Sequence, residues 1–306
     1  MTNQANIAVL LATYNGSRFL AKFLDSLVAQ TLKSFVVYVR DDGSSDGSLD
    51  IVESYASRLE IVVLRSEKRR LGAALSFLAL LREAGDGYEY YAFADQDDNW
   101  NEDKLRRASA ALCSLQDTPG LYFSRVEYVN EVLEHLGFSP MPRFAGLENA
   151  LVENVAMGCA SMINRPARAL IVHATPSAII MHDWWAYILV SAFGRIIPDD
   201  YVSLQYRQHG SNAIGVRVGK VSEYKTKLMR FLKRERGVFL VSDQAKQLVI
   251  WYRDQLNSRQ QGMVNMLVAG KMSALGRLRL CIWSPFVRQR MLDTLILRVL
   301  FLLNRY

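Results

Sequence analysis

Three carboxylates stand within four residues at Asp95, Asp97 and Asp98, with only Gln96 between them. Carboxylates this close repel one another at neutral pH unless they are protonated, solvated or bridged by a cation. Hard oxygen ligands suit Mg²⁺ or Mn²⁺, and either ion could carry the diphosphate of a substrate. The alternative is an acidic cap for a helix beginning near Glu102, which the helix dipole would favour. The cluster alone does not decide between a metal site and a cap.

A second polar cluster, Asp41–Gly47, has the sequence Asp-Asp-Gly-Ser-Ser-Asp-Gly. Asp, Gly and Ser are turn formers and Asp46 is a suitable helix N-cap, so the segment taken singly favours a structural role. The adjacent carboxylates of Asp41 and Asp42 could instead accept hydrogen bonds from a base imide N–H and from ribose hydroxyls. The glycine-rich turn would let a flat ring approach the backbone.

The elements that must position these clusters alternate between strands and helices. Apolar runs predict the strands, and apolar residues at helical spacing predict the helices. The predicted order is strand 7–12, helix 18–30, strand 35–40, helix 49–57, strand 60–64, helix 71–82, strand 88–94 and helix 102–115. Parallel neighbours need a crossover of about a dozen residues, so this alternation argues for an α/β fold with a mostly parallel, Rossmann-like sheet flanked by helices.

Polar segments follow the first, second and fourth predicted strands: Thr13–Gly16, Asp41–Gly47 and Asp95–Asp98. Ligands of such sheets bind outside the carboxyl ends of the strands. We therefore expect the three segments to converge on one edge of the sheet.

Beyond Pro119 the alternation weakens, and we predict strands over 121–129 and 157–163 and a helix over 178–190, without an order for these strands. After Gly210 the chain becomes basic and helix-like, which predicts a boundary near residue 217. Residues 217–306 hold 18 Lys and Arg against 5 Asp and Glu, a balance of +13 that leaves −6 for residues 1–216. Such asymmetry suggests different partners for the two parts.

Composition narrows the protein class. Half of the 306 residues are apolar, enough for a substantial core in one large domain or a domain with an appendage. The three cysteines, Cys113, Cys159 and Cys281, are widely spaced and form no zinc pattern, which favours a reducing compartment. The start of the chain lacks the features of a secretory signal, and no uncharged apolar stretch reaches the ~20 residues that span a bilayer. We therefore expect a cytoplasmic protein.

Three motifs, taken in order, resemble the GT-A fold of family 2 glycosyltransferases. They are Ala-Thr-Tyr-Asn-Gly at 12–16, the Asp41–Gly47 cluster, and Phe-Ala-Asp-Gln-Asp-Asp-Asn-Trp at 93–100. The ordered set is far more specific than any one motif, and the resemblance covers residues 5–215. The Asp-Gln-Asp-Asp-x-Trp form, with His182–Trp185 and Tyr206–His209, is similar to bacterial rhamnosyltransferases that build O-antigen, lipopolysaccharide core or exopolysaccharide.

The resemblance implies a GT-A catalytic domain over residues 1–216, with a nucleotide-sugar half over 1–118 and an acceptor half over 119–216, followed by a basic helical C-terminal region over 217–306. It also implies residue roles. The nucleotide-sugar would be bound by Thr13, Tyr14, Asn15, Asp41, Asp42, Gly72 and Asp95. Asp95 and Asp97 would hold ribose and metal, with Asp98 in support. The implied cofactor is Mg²⁺ or Mn²⁺.

Arg207 and His209 lie in the Tyr206–His209 segment just before a Gly-Ser-Asn turn. Arg207 could clamp a phosphate, and His209 could be a third metal ligand or a diphosphate contact. A lone histidine is more often structural, so the alternative for His209 stays open.

Asp183 is the candidate catalytic residue. Inverting transfer needs a base to take the proton from the acceptor hydroxyl as that oxygen attacks the anomeric carbon, and one carboxylate suffices. The neighbouring Trp184 and Trp185 could stack on a sugar, and His182 and Gly158 would complete an acceptor or sugar pocket. The alternatives are core packing for the tryptophans and Gly158, and a helix cap for Asp183.

The favoured function is inverting transfer of a sugar onto a hydroxyl of a bacterial surface glycan or lipid-linked acceptor, with dTDP-L-rhamnose as the expected donor and a UDP-hexose as the alternative. A sugar-phosphate nucleotidyltransferase is disfavoured because it expects a Gly-rich, lysine-bearing phosphate loop after the first strand. A scaffold that binds nucleotide-sugar or membrane without turnover is the non-enzymatic alternative. The basic C-terminal helices predict contact with the cytoplasmic face of the inner membrane, a helical cap being the competing interpretation, and no nucleic-acid module is recognisable.

Overall fold

The computed structural model describes residues 6–64, 70–210 and 240–306. The first part of the chain alternates as predicted. Its elements are β1 Ile7–Thr13, α1 Ser17–Val28, β2 Phe35–Asp41, α2 Ser48–Ser54, β3 Ile61–Val63, α3 Ala73–Glu83 and β4 Tyr90–Asp95. The middle part consists of β5 Asn99–Trp100, α4 Lys104–Leu112, β6 Gly120–Val129, β7 His135–Phe138, α5 Leu147–Ala150, β8 Ser161–Asn164, α6 Arg165–His173, α7 His182–Phe193 and β9 Arg195–Arg207. The last described helices are α8 Val241–Tyr252, α9 Ser258–Gly270, α10 Ala274–Trp283 and α11 Met291–Leu302.

The strands of the described residues form one sheet in the order β3-β2-β1-β4-β8-β6-β9-β5, with β7 paired to β6. Strands β1 to β4 pair in parallel, in agreement with the alternating pattern. The second half is mixed, because β8 runs antiparallel to both β4 and β6, whereas β9 pairs in parallel with β6. The fold is therefore α/β, with a parallel first half and a mixed second half.

Two apolar clusters cover the two faces of the sheet, and β1 shows why. Ile7, Val9 and Leu11 belong to one cluster, whereas Ala8 and Leu10 belong to the other. Successive side chains of a strand point to opposite faces, so a strand covered on both sides must be apolar at every position. Helix α1 covers the first face, and helices α3 and α7 cover the second.

Three local predictions differ from the structure. The region predicted as a strand from 157 begins with a 3₁₀ turn at Gly158–Ala160, and the strand proper starts at Ser161. The helix predicted from 178 begins at His182. Asp46 is not the N-cap of α2, because Gly47, with φ of 82°, occupies that position and Asp46 precedes it. Glycine is favoured there because a side chain would strain the left-handed backbone.

The C-terminal helices share the second core cluster. Leu248 of α8, Phe286 before α11 and Phe301 of α11 are fully buried with residues of α3 and α7. Polar contacts reinforce the packing, since Gln244 and Gln247 accept hydrogen bonds from the backbone N–H groups of Ile180 and Ser177. The predicted boundary near 217, and the basic residues Lys225, Lys227, Arg230, Lys233, Arg234 and Arg236, lie outside the described residues. No helix in the described ranges combines the length and the apolarity needed to cross a bilayer.

Candidate active site

The three polar segments meet at one edge of the sheet. Thr13 pairs with Asp41 across β1 and β2, and Ala12 pairs with Asp95 across β1 and β4. Gln96 then joins the first segment to the third, accepting hydrogen bonds from Thr13 Oγ1 at 2.6 Å and from the Tyr14 N–H at 3.0 Å. Its own Nε2 donates to the Tyr14 carbonyl. Gln96 is a positioning residue that the sequence interpretation missed.

The first and second segments are joined through serines and an asparagine. The Asn15 N–H donates to Ser44 Oγ at 2.9 Å, and the Ser45 N–H donates to Asn15 Oδ1 at 2.9 Å. Asp46 accepts from the Ser17 N–H at the start of α1, so it stabilises that helix as well as its own turn. Burial acts to raise the pKa of Asp46, but hydrogen bonds from Ser48 and Ser17 outweigh it and lower the pKa to about 2.

Asp41 and Asp42 both have protein partners. Asp41 accepts from the backbone N–H groups of Gly43 and Ser44 and from the Ser44 hydroxyl, which shapes the turn. Asp42 is buried in an ion pair with Arg40, 2.6 Å from its guanidinium. It also accepts from the N–H groups of Leu71 and Gly72.

Asp42 therefore fixes the start of α3 at the cavity wall, where Gly72 has φ of 76°. Burial acts to raise the pKa of Asp42, but the Leu71, Arg40 and Gly72 donors together lower it. Contact of Asp41 or Asp42 with a nucleotide remains a prediction.

The acidic cluster brings Asp97 together with His209. The imidazole Nε2 lies 2.7 Å from Asp97 Oδ2, although the two residues are 112 positions apart. Burial, followed by the charges of Asp97 and Asp183, raises the pKa of Asp95 to about 7. Such an excess of close carboxylates fits a divalent cation, which Asp95, Asp97 and His209 would hold. An acidic helix cap is the wrong interpretation, because β5 separates this cluster from α4.

Asp98 and Cys159 are buried next to Asp95. Potential ligand atoms of Asp95, Asp98 and Cys159 lie within 4.8 Å of one another, and both carboxylate oxygens of Asp98 are buried without a hydrogen bond in the described structure. Burial raises the pKa of both Asp98 and Cys159 well above their usual ranges, so a neutral thiol here is a poor metal ligand. Burial also lowers the pKa of the neighbouring Lys104 to about 8. Lys104 and Cys159 were not singled out from the sequence as site residues.

Arg207 is hydrogen-bonded to the backbone of the acidic cluster. Its Nε donates to the Asp97 carbonyl at 3.0 Å, and Nη1 donates to the Glu131 carbonyl. The guanidinium also lies 4.5 Å from the centre of the Phe19 ring. Arg207 is 4% exposed and is not among the cavity-lining residues of the described chain. The phosphate clamp predicted from the sequence is thus replaced by a role in positioning Asp97.

Asp183 lies at the cavity wall on the first turn of α7. One carboxylate oxygen accepts from the Gly158 N–H at 2.9 Å and the other from the Trp184 N–H at 2.7 Å. Burial raises the pKa of Asp183 to about 6 in spite of these donors. Asp183 is not the helix cap, which is Met181. A carboxylate with this pKa is suited to take a proton near neutral pH.

Gly158 is required by the packing around Asp183. A Cβ at this position would lie 2.9 Å from His182 Nε2 and 3.3 Å from the Cβ of Asp183. His182 itself is buried, stacks on Phe77 with ring centroids 3.9 Å apart, and has no hydrogen bond to either ring nitrogen in the described structure. Burial lowers the pKa of His182 to about 3, which keeps the imidazole neutral.

The two tryptophans have different surroundings. Trp184 is partly buried at the cavity wall, and its Nε1 donates to the Ala150 carbonyl at 2.6 Å. Trp185 is fully buried in the second core cluster and does not reach the cavity. The prediction that Trp185 contacts a sugar is therefore wrong, because α7 turns successive side chains to different faces and this one faces the core.

One cavity of about 1450 Å³ contains these groups. Its lining includes Thr13, Tyr14, Asn15 and Gly72 of the first part of the chain, together with Asp95, Asp97, Asp183 and His209. Another wall comes from the C-terminal region, from Arg288 to Met291 and Asp293.

Proteins with similar sequences or folds include several transferases. The chain is 27% identical over 239 residues to the dTDP-rhamnosyl transferase RfbG of Shigella flexneri, covering 70% of this chain and 77% of that protein. The fold matches S. aureus TarS 1–349 in complex with UDP-GlcNAc, with a TM-score of 0.56, 17% identity and coverage of 89% of this chain and 83% of that one. It also matches mannosyltransferase PcManGT from Pyrobaculum calidifontis in complex with GDP-Man and Mn²⁺, with a TM-score of 0.54, 16% identity and coverage of 100% and 82%.

The family model described as glycosyl transferase family 2 matches residues 8–166, more than half of the chain. These residues contain all three motifs and the first strands of the sheet, which agrees with the GT-A architecture of the two solved structures. The chain belongs to glycosyl transferase family 2.

Proposed function

We propose that this protein is an inverting, metal-dependent glycosyltransferase that moves L-rhamnose from dTDP-L-rhamnose onto a hydroxyl of a bacterial surface glycan or its lipid-linked precursor. The observation that carries the proposal is the placement of Asp183 in the same cavity as the Asp97–His209 pair and as Thr13, Tyr14 and Asn15, which we expect to bind the nucleotide. The similarity to RfbG supports rhamnose as the transferred sugar. A UDP-hexose is the alternative donor.

Asp183 acts as the base in this proposal. Its carboxylate is held by two backbone N–H groups, so its orientation is fixed before the acceptor binds. An acceptor hydroxyl hydrogen-bonded to this carboxylate would lose its proton as the oxygen attacks the anomeric carbon. One carboxylate is enough, because the leaving group is a nucleotide diphosphate and needs no separate acid.

A divalent cation, Mg²⁺ or Mn²⁺, would be held by Asp95, Asp97 and His209. When bound, it neutralises charge on the diphosphate and makes the nucleotide a better leaving group. Arg207 fixes the Asp97 backbone and Gln96 ties the acidic segment to β1, so the ligands are held in place by neighbouring elements.

The function is tested with purified protein, Mg²⁺ or Mn²⁺, and a panel of dTDP-, UDP- and GDP-sugars, first by thermal protection and then by nucleotide release with glycan acceptors. We expect dTDP-L-rhamnose to give the largest rise in melting temperature, since a ligand of the native state alone stabilises it. Asp97→Ala and Asp183→Asn should abolish turnover while melting cooperatively. Turnover retained in both variants would exclude the proposed mechanism.

We also propose that the enzyme works at the cytoplasmic face of the inner membrane, bound through α10 and α11. These helices carry exposed apolar side chains beside basic ones: Leu275, Leu278, Ile282, Trp283, Leu292, Leu295 and Val299, with Arg277 and Arg279. Such surfaces bind anionic lipid interfaces. Flotation with vesicles containing anionic lipid should recover the protein, and Trp283→Ser with Leu295→Ser should reduce recovery. Equal flotation with neutral vesicles, or recovery unchanged in the variant, would contradict the contact.

A further inference from the structure

The cavity wall built by the C-terminal region is rich in arginine. Arg288 and Arg290 lie in the loop before α11, Arg125 lies on β6, and Arg143 lies between β7 and α5. All four line the cavity, and Glu153 and Asp293 are the acidic side chains on the same side. This end of the cavity therefore carries an excess of positive charge, opposite in sign to the cluster at Asp95 and Asp97.

The hydrogen bonds of Arg125, Arg143 and Arg288 leave guanidinium donors for a ligand. Arg125 is held by the Ser139 carbonyl at 2.7 Å, and Arg288 by the Val152 carbonyl at 3.1 Å. Carbonyl oxygens therefore fix the positions of both side chains. Burial lowers the pKa of Arg288, and the charges of Glu153 and Asp293 act to raise it. Arg143 is exposed, and its guanidinium makes no hydrogen bond with the described residues. Guanidinium groups bind phosphate oxygens through paired N–H donors.

The size of the cavity leaves room for a second ligand. Ligand pockets commonly measure about 300–1,000 Å³. This cavity, at about 1450 Å³, is larger. A donor diphosphate belongs with the carboxylates at Asp95 and Asp97, where a cation can bridge the two. The arginine wall is therefore left for another anion.

An apolar surface continues from the arginine wall. Met291 lines the cavity, is 81% exposed, and is the first residue of α11. The exposed residues Leu292, Leu295 and Val299 follow it along that helix at helical spacing. A molecule bound at the arginines could thus leave the cavity over Met291 and remain on an apolar surface.

We propose that Arg143, Arg288 and Arg290 bind the phosphate of a lipid-linked acceptor, whose hydrocarbon chain leaves the cavity over Met291 along α11. The inference rests on the proposed transferase function and specifies its acceptor: a glycan joined to a lipid through a phosphate or diphosphate. The phosphate would place the acceptor hydroxyl for deprotonation by Asp183, and the chain would remain in the membrane interface.

The test uses farnesyl diphosphate, farnesol and inorganic pyrophosphate as probes, titrated into the full-length protein by calorimetry. EDTA is present so that no cation can recruit a diphosphate to Asp95 and Asp97. We expect farnesyl diphosphate to bind at least roughly tenfold more tightly than either other probe, because it alone satisfies both the arginines and the apolar surface. Arg143→Gln should weaken that binding roughly tenfold, and Arg143→Gln with Arg290→Gln should weaken it further. Arg253→Gln, an exposed arginine outside the cavity, is the matched control and should bind as the unmodified protein does.

Equal binding of farnesol and farnesyl diphosphate, or unchanged affinity in both arginine variants, would overturn the phosphate site. Pyrophosphate binding as tightly as farnesyl diphosphate would overturn the lipid part. Thermal melting of Arg143→Gln, whose side chain is exposed, checks that the variant is folded. Failure of the transferase function is seen separately, as absent nucleotide release from every donor while arginine-dependent binding persists.

Discussion

The cavity-lining carboxylates of Asp42 and Asp183 differ in the hydrogen-bond donors and charges around them, and this difference shifts their pKa values in opposite directions. Asp42 is paired with Arg40 and accepts two backbone N–H groups, so the ionised form is favoured and its pKa is lowered. Asp183 also accepts two N–H groups but has no cation beside it among the described residues, so burial prevails and raises its pKa to about 6. The first carboxylate is favoured in its ionised form and serves the structure, whereas the second can exchange a proton near neutral pH.

The pH dependence of kcat/KM should reveal Asp183. A base acts only when deprotonated, so the rate should fall about tenfold per pH unit below the pKa of about 6 and level off above it. The Gly158 N–H helps to lower this pKa, and Gly158→Ala would push a methyl group against His182 and Asp183. We therefore expect Gly158→Ala to move the acid limb to higher pH as well as to reduce kcat. A limb that stays in place in this variant would argue against Asp183 as the base.

Gln96 should influence donor binding through its hydrogen bonds. Gln96→Ala removes three hydrogen bonds that join the acidic segment to Thr13 and Tyr14. We expect the KM for the donor to rise roughly tenfold, since losing hydrogen bonds of this kind costs about 1–3 kcal/mol. Steady-state kinetics at saturating acceptor measures the effect. Asn99→Ala, which removes one side-chain bond to Gln205, is the control, and an equal rise in KM there would show that the effect is not specific.

Residue types and spacing made Asp95 and Asp97 candidates, although the cluster alone did not separate a metal site from a helix cap. Asp183 became a candidate only because inverting transfer needs a base. Residue types could not separate Trp184 from Trp185, since adjacent positions on an apolar helix carry the same signal and only packing decides which one is buried. Arg207 was misassigned for a related reason. An arginine that binds phosphate and one that holds a backbone loop cannot be distinguished in a sequence. The Asp97 carbonyl that Arg207 binds is 110 residues away along the chain.

At the scale of elements, the first four strands and their helices were predictable because each has its own periodic pattern. The mixed half was not. Strand β8 has only four residues, all buried, and β9 is long and half-exposed, so neither gives an alternating signal. Their positions beside β6 depend on contacts distant in sequence. The convergence of three motifs survives this gap because it depends only on β1, β2 and β4.

The junction between β2 and α3 yields a stability prediction. Asp42→Ala would leave the Arg40 guanidinium, only 3% exposed in its side chain, without its carboxylate. Removing one partner of a buried ion pair costs about 3–5 kcal/mol. We expect that loss in the free energy of unfolding measured with urea, together with weaker nucleotide binding, because Gly72 is no longer fixed. Asp86→Ala, at an exposed aspartate, should change neither quantity, and a small effect of Asp42→Ala would mean that water replaces the carboxylate.

For the whole molecule, opposite charges at the two ends of one cavity suit two anionic ligands. In the proposed mechanism a donor diphosphate binds at the acidic cluster through a cation, whereas the arginine wall would bind an anion without one. The charge difference between residues 1–216 and 217–306 was visible in the sequence. The sequence did not indicate that residues of 217–306 line the cavity. The arginines of this wall are spread along the chain from Arg125 to Arg290.

The acidic cluster makes the stability of the whole molecule depend jointly on pH and metal. The pKa values of Asp95 and Asp183 are raised to about 7 and about 6, above the unfolded value of 3.8, so the folded state binds more protons between pH 4 and 7. Their contribution to stability is thus fully present below pH 3.8 and is lost as the pH rises through 6 to 7. A divalent cation would replace those protons. Mn²⁺ should therefore raise the melting temperature more at pH 8 than at pH 5, and Asp97→Asn should reduce that difference; an equal rise at both pH values would contradict this coupling.

The C-terminal helices should be inseparable from the catalytic core. Phe301 of α11 is fully buried with residues of α3 and α7, whereas Val299 on the same helix is 54% exposed. Replacing a buried Phe by Ala costs about 3–5 kcal/mol. Phe301→Ala should therefore lower the melting temperature of the single transition by roughly 10 °C and reduce donor binding along with it, whereas Val299→Ala should leave both nearly unchanged. If Phe301→Ala instead split the transition in two and left donor binding intact, the C-terminal helices would be a separate domain, and the cavity wall they provide would not depend on the shared core.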